Sequence, residues 1–201
     1  MRKSLIPVNV IQKGLSLIES AMVLAISAVI VSGVLYYYNH AQENRKLEEG
    51  IKQIQTIAAS VNKLYTNSTT SPKAAKDDNK VTEAISAISG IPTKLTTHGT
   101  MFTTPSGQWV QYWSEDNKKY VLETQVQSVS SCISYATLNM GTIMAAKTKV
   151  LIGNNDYVNN GASNNSTNFS LSPSVASAAC EKAGNAKGND NNIKVRYTLR
   201  Y

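Results

Sequence analysis

This 201-residue sequence is poor in the residues that carry chemistry, with two His and two Cys in all. No HExxH, GxSxG, P-loop or Rossmann glycine pattern occurs, and no CxxC pair accompanies the cysteines. Zinc, nucleotide and nucleophilic chemistry therefore have no anchor. His40 follows an apolar run and His98 falls in a loop, so neither pairs locally with Cys or Ser. The carboxylates are scattered, and Asp77-Asp78 lies in an expected loop, as a solvated pair rather than an acid–base dyad. A calcium site in the Asn/Asp-rich region would lack EF-hand spacing. These absences argue against an enzyme, and no cofactor or metal is expected. Charge is scarce as well: 16% of residues are Asp, Glu, Lys or Arg, for a net +7. That fraction argues against a charged disordered tail. It also argues weakly against a nucleic-acid binder, which gathers Lys and Arg on one face. Ten Tyr against two Phe and two Trp point to a polar-rimmed surface. The length suits one domain with an appendage and allows a real core.

The longest gap in charge is the most informative. From Ser20 to Gln42 there is no Asp, Glu, Lys or Arg, and Glu19 is the sole charge in 15–38. A helix of about 20 apolar residues crosses the hydrocarbon core. Arg2, Lys3 and Lys13 precede the run, and the next cation is Arg45, which sets the N-terminus in the cytoplasm and exports the rest. A secretory signal has a shorter apolar region followed by a small-residue cut, whereas Ser27-Ala28-Val29 lies inside this run. The alternative is cleavage before the run, at Gly14, which leaves the apolar helix on the mature chain. Glu19 favours it, because a carboxylate one turn into a membrane helix is costly unless it snorkels or finds a partner. Cleavage after Gly14 gives Leu15 a free amine, and in a packed array that amine could neutralise a neighbour's Glu19. The other reading of Glu19 is a residue seated at the headgroup boundary.

Gly14-Leu15-Ser16-Leu17-Ile18-Glu19-Ser20, placed directly before a charge-free helix, resembles the class III leader of a type IV pilin. The resemblance implies cutting at Gly14 by a prepilin peptidase, N-methylation of Leu15, and an assembly role for Glu19 at the fifth mature position. The run GLSLIESAMVLA is similar to type IVb pilins of enteric bacteria, including the bundle-forming kind. Leu15, where most type IVa pilins have Phe, agrees with the b subclass. The close match covers roughly the first 40 residues; beyond them the likeness is one of layout. What it implies is an α+β fold, a long N-terminal α-helix packed on an antiparallel β-sheet head, with one disulfide. The expected parts are a cleaved leader (1–14), a long helix (15–66, with 15–38 as membrane span and filament core) and a globular head (67–201). Loss of the leader removes three cations and no acid, taking +7 to +4.

The implied function is the major subunit of a type IVb pilus, a surface fibre for adhesion, self-aggregation or DNA transfer. Its partners would be further copies of itself, the prepilin peptidase, the inner-membrane assembly machinery, the inner membrane before assembly, and a host-cell or recipient-cell surface. The precursor would reside in the inner membrane and the mature chain in an extracellular pilus. The alternatives are a minor pilin or pseudopilin, or a singly anchored periplasmic or surface binding module that never polymerises.

Past the membrane run, Leu47, Ile51, Ile54, Ala58, Val61 and Tyr65 recur at helical steps, with Lys46, Glu48, Glu49, Lys52 and Gln53 turned away. An unbroken helix from Leu15 to Tyr65 would extend about 75 Å, with Gly33 and Gly50 as soft points costing about 1 kcal/mol each. Residues 66–80 read as a loop and 81–90 as a short helix. Residues 108–113 and 119–127 read as a hairpin. Around Cys132, 133–141 reads as helical and 148–153 as a strand. The segment 154–192 holds 11 of the 19 Asn and reads as turn-rich surface with a short helix at 172–183. Its Asn165-Ser166-Thr167 glycosylation match is compositional. Ile193, Val195, Tyr197, Leu199 and Tyr201 alternate with polar residues, the cleanest strand pattern in the chain. Cys132 and Cys180 are 48 positions apart. A bond between them would add about 4 kcal/mol in the chain-entropy model, and in the pilin family such a pair bounds the D-region. Two unpaired buried thiols are the alternative.

Overall fold

With no proline between residues 8 and 71, helix α1 runs as one element from Leu17 to Tyr65. The computed structural model describes residues 16–66, 78–115, 118–158, 169–186, 188 and 192–201. It divides into two compact units, 1–43 and 44–201. In the first, α1 is the only element among the described residues, and Leu17, Ile18, Met22, Leu24, Val29 and Ile30 are all exposed. Its Ser27 and Ser32 hydroxyls donate to the Val23 and Ala28 carbonyls, 2.7 Å each.

In the second unit, α1 is followed by α2 (Asp78–Ser89), β1 (Thr93–Thr96), β2 (Gly99–Thr103), β3 (Trp109–Glu115) and β4 (Lys119–Val126). Then come α3 (Val129–Ala136), a 3₁₀ turn (Gly141–Ile143), β5 (Lys149–Ile152), β6 (Asn155–Asp156), α4 (Pro173–Ala186) and β7 (Ile193–Arg200). The strands form one antiparallel sheet in the order β1-β2-β3-β4-β7-β5-β6. The last strand thus lies in the middle, paired with β4 over eight residues and with β5 over three. Its alternation is realised: Ile193, Val195, Tyr197 and Leu199 are buried on the core face beside Tyr120, Leu122 and Val126. Ile54, Ile57, Ala58 and Val61 of α1 complete that core. Burial of each large side chain contributes about 1.5–3 kcal/mol. Two buried phenols are held by carbonyls, with Tyr120 OH donating to Ala58 (3.3 Å) and Tyr197 OH to Tyr135 (2.6 Å).

Several expectations change here. Gly50 is a contact rather than a soft point: a Cβ built on it would lie 2.1 Å from the Tyr135 hydroxyl, whereas nothing lies within 4 Å at Gly33. Gly50→Ala should therefore destabilise the head by about 1–3 kcal/mol by overpacking, despite Ala's better helix propensity. Chemical denaturation of the variant checks this, and a gain in stability would refute the contact. Asp78 opens α2 rather than lying in a loop, and its Oδ1 accepts from Ser114 N (3.0 Å) and Ser114 Oγ (2.8 Å). It pins α2 to β3; Asp77 lies outside the described residues. The hairpin of β1 and β2 carries little sequence signal, because TKLT and GTMFT are short and rich in Thr. Its turn depends on Gly99 (φ +106), and Asn79 Oδ1 accepts from Thr100 N at 2.8 Å. Helix α3 begins before Cys132 instead of after it, because Ser128 Oγ caps it by accepting from Ser131 N (3.1 Å).

Burial also sets an alkaline limit. It pushes the Tyr135 phenol up to about 12, and it raises Tyr112, Tyr120 and Tyr197 well above the usual tyrosine value. The unfolded chain releases these protons near pH 10 while the fold keeps them neutral. Stability is then intact below about pH 10 and falls as pH rises to about 12, by up to roughly 1.4 kcal/mol per unit for each phenol. Denaturation midpoints at pH 9 and pH 11 test this; equal midpoints would contradict it.

Candidate functional site

The start of α1 is built by two side chains. Ser16 Oγ accepts from Glu19 N at 3.3 Å, and Ser16 N donates to Glu19 Oε2 at 2.8 Å. This reciprocal pair is a capping box, and it satisfies two donors that a helix N-terminus otherwise leaves orphaned. The sequence carries that signal as Ser16-x-x-Glu19, which the charge of Glu19 alone does not reveal. In the single chain, the carboxylate thus has a backbone partner of its own. Gly14 and Leu15 lie outside the described residues.

The second feature is a staple. Cys132 on α3 and Cys180 on α4 are fully buried and bonded, with Cα atoms 5.9 Å apart, and no cysteine is free. The helices meet closely: a Cβ on Gly184 would lie 2.7 Å from Val129 Cγ2. The span between the cysteines is more than surface, since it supplies β5 and β6 to the sheet.

The third is the sheet face opposite the core. Glu123, 2% exposed, accepts both Lys194 Nζ (3.2 Å) and Arg196 (2.6 Å) from the neighbouring strand. Lys194 also lies over the Trp109 ring (5.4 Å) and Arg196 over Trp113 (5.1 Å). One carboxylate balances one of the two cations. Lys194 also lines a groove of about 470 Å³, with His98, Trp109, Gln111 and Gln125 among its other lining residues. Among the described residues, no Asp or Glu lines it. Among the described residues, no cluster of three or more His, Cys, Asp or Glu could hold a metal.

The family model described as Bundlin matches residues 39–200. The chain belongs to the bundlin family. That match begins beyond the leader-like motif, so the two ends of the chain point to the same kind of protein from separate residues. Two relatives, each a major structural subunit of bundle-forming pilus, come from Escherichia coli O127:H6 (strain E2348/69 / EPEC) and Escherichia coli O111:H-. Each is 29% identical over 195 residues, covering 94% of this chain and 95% of the relative. A solved type IV b pilin from Salmonella typhi is 12% identical, with a TM-score of 0.49, covering 76% of this chain and 98% of that one.

Proposed function

We propose that this chain is the repeating subunit of a type IVb pilus, with its N-terminal helices packed into a filament core and its heads exported on the fibre. The observation that carries the proposal is the union of a bundlin-family head with an exposed helix free of charge from Ser20 to Gln42. Such a helix leaves lipid only by packing against others of its kind. Processing would fall at Gly14, with N-methylation of Leu15. Glu19 would pair with the Leu15 amine of a neighbouring copy, because an unpaired charge in that core is heavily penalised. The precursor would sit in the inner membrane, where the prepilin peptidase and assembly machinery act on it. Residues 132–180 would form the D-region. Contact with a host-cell or recipient-cell surface would fall to the head, which carries a groove beside Lys194.

Intact mass and N-terminal sequence of protein sheared from the native cell surface test this. A chain starting at Leu15 and one methyl group heavier is expected. A bulky residue at Gly14 (Gly14→Phe) should leave an uncut, membrane-bound precursor and no fibres. Mature fibres from that variant would move the cleavage site elsewhere, and a surface chain retaining Met1 would end the pilin reading in favour of a singly anchored module.

A further inference from the structure

Tyr36, Tyr37 and Tyr38 close the apolar segment of α1 and are 77%, 75% and 58% exposed. Consecutive helical positions point about 100° apart, so three adjacent rings spread over about 200° of the circumference within roughly 3 Å of rise, a partial collar at one height. A packing face against another helix repeats instead at three- and four-residue steps and runs along the axis. A collar answers surroundings that change along the axis and are uniform around it. A bilayer interface has that symmetry, and tyrosine, an apolar ring with a polar tip, is enriched there.

The chemistry on either side agrees. Beyond the collar, Asn39, His40, Gln42, Glu43, Asn44 and Arg45 follow at once, and Gln42 Nε2 donates to Tyr38 OH at 2.7 Å. Before it, the segment's serines, Ser20, Ser27 and Ser32, each donate to the carbonyl four residues back. No hydroxyl donor is left unmet where lipid offers no acceptor. From Glu19 to Tyr37 the helix rises about 27 Å, close to the ~30 Å hydrocarbon thickness.

We propose that Tyr36, Tyr37 and Tyr38 seat at the phospholipid headgroup level on the head side and so fix the subunit's depth in the bilayer before assembly. That depth places the Ser16–Glu19 box at the opposite headgroup level rather than in the hydrocarbon. Glu19 then costs little in the membrane and becomes a buried charge when the helix leaves it. The inference rests on the membrane-resident precursor proposed above.

The test uses the full-length chain, with Cys132 and Cys180 oxidised, in spheroplasts treated with a membrane-impermeant maleimide. Single reporters at Ile26→Cys, Val34→Cys and His40→Cys map the boundary. His40→Cys should label at least about tenfold faster than the other two, because a polar reagent is excluded from the hydrocarbon. Adding Tyr36→Leu, Tyr37→Leu and Tyr38→Leu together should draw the helix in by about one turn and slow His40→Cys labelling at least about tenfold. Three Trp replacements should leave it unchanged. If the triple Leu chain labels at the original rate while Ile26→Cys stays protected, the collar does not set the depth, although the span stands. If Ile26→Cys labels as fast as His40→Cys in the unaltered background, the helix is not in lipid and both proposals fail.

Discussion

Glu19→Ala should reduce sheared surface fibres to trace levels while the head melts at an unchanged temperature. Two costs are in play, and their sizes separate them. Loss of the capping box costs about 0.5–2 kcal/mol of helix stability at one end. Stranding one member of a buried ion pair costs about 3–5 kcal/mol, and in a filament that penalty recurs at every subunit. Glu19→Gln divides the roles, because Gln serves at the third position of a capping box as Glu does yet carries no charge for the Leu15 amine. Ala removes both contacts. If fibre yield from Glu19→Gln matches the Ala variant, at least about a hundredfold down as a loss near 3 kcal/mol implies, the intersubunit pair controls assembly. If Glu19→Gln yields normal fibres and only Ala fails, the box of Ser16 and Glu19 is the requirement and the pairing reading is wrong.

The parts of the fold legible in the sequence are those where one physical signal acts alone. The long helix follows from an absence of charge and proline joined to a 3.6-residue stripe, and the two halves of that pattern meet without a break in α1. The last strand follows from strict alternation, because it is buried on one face in the centre of the sheet. What was missed depends on partners distant in sequence. The fate of Gly50 is decided by Tyr135, 85 positions later, whose hydroxyl occupies the place of a Cβ. Asp78 looked solvated because its acceptor role needs the backbone and hydroxyl of Ser114 on another element. The cluster of Glu123, Lys194 and Arg196 is equally invisible in one dimension, since strand pairing brings position 123 opposite 196. At the candidate assembly end the sequence held both readings of Glu19, as charge and as cap. Only the geometry at Ser16 made the second evident.

Removal of the disulfide should be the largest single loss of stability in the head. Closing a 48-residue separation restricts the unfolded chain by about 4 kcal/mol in the entropy model. For a unit of this size, 44–201, that corresponds to a fall in melting temperature of about 8–16 °C. The paired variant Cys132→Ala with Cys180→Ala is the cleaner test, because it leaves no lone thiol to cross-link and buries no unsatisfied hydroxyl as Ser would. The folded state should change little without the bond, since α3 and α4 still meet through Val129 and Gly184 and Cys132 and Cys180 are already enclosed by the core. The loss therefore acts through the unfolded chain and through local opening of the stapled span. That span pairs with the rest of the sheet through β5, whose three residues Lys149 to Leu151 pair with β7, and through the Met144–Leu199 bridge. Amide exchange should accordingly quicken first at β5 and α4 and last at β4 and β7, which share eight paired residues. A melting temperature within about 2 °C of the parent, under the scaling above, would mean that core packing alone holds the span to the sheet. Uniform acceleration across all strands would instead make the head one cooperative unit, with the staple no more local than any other contact.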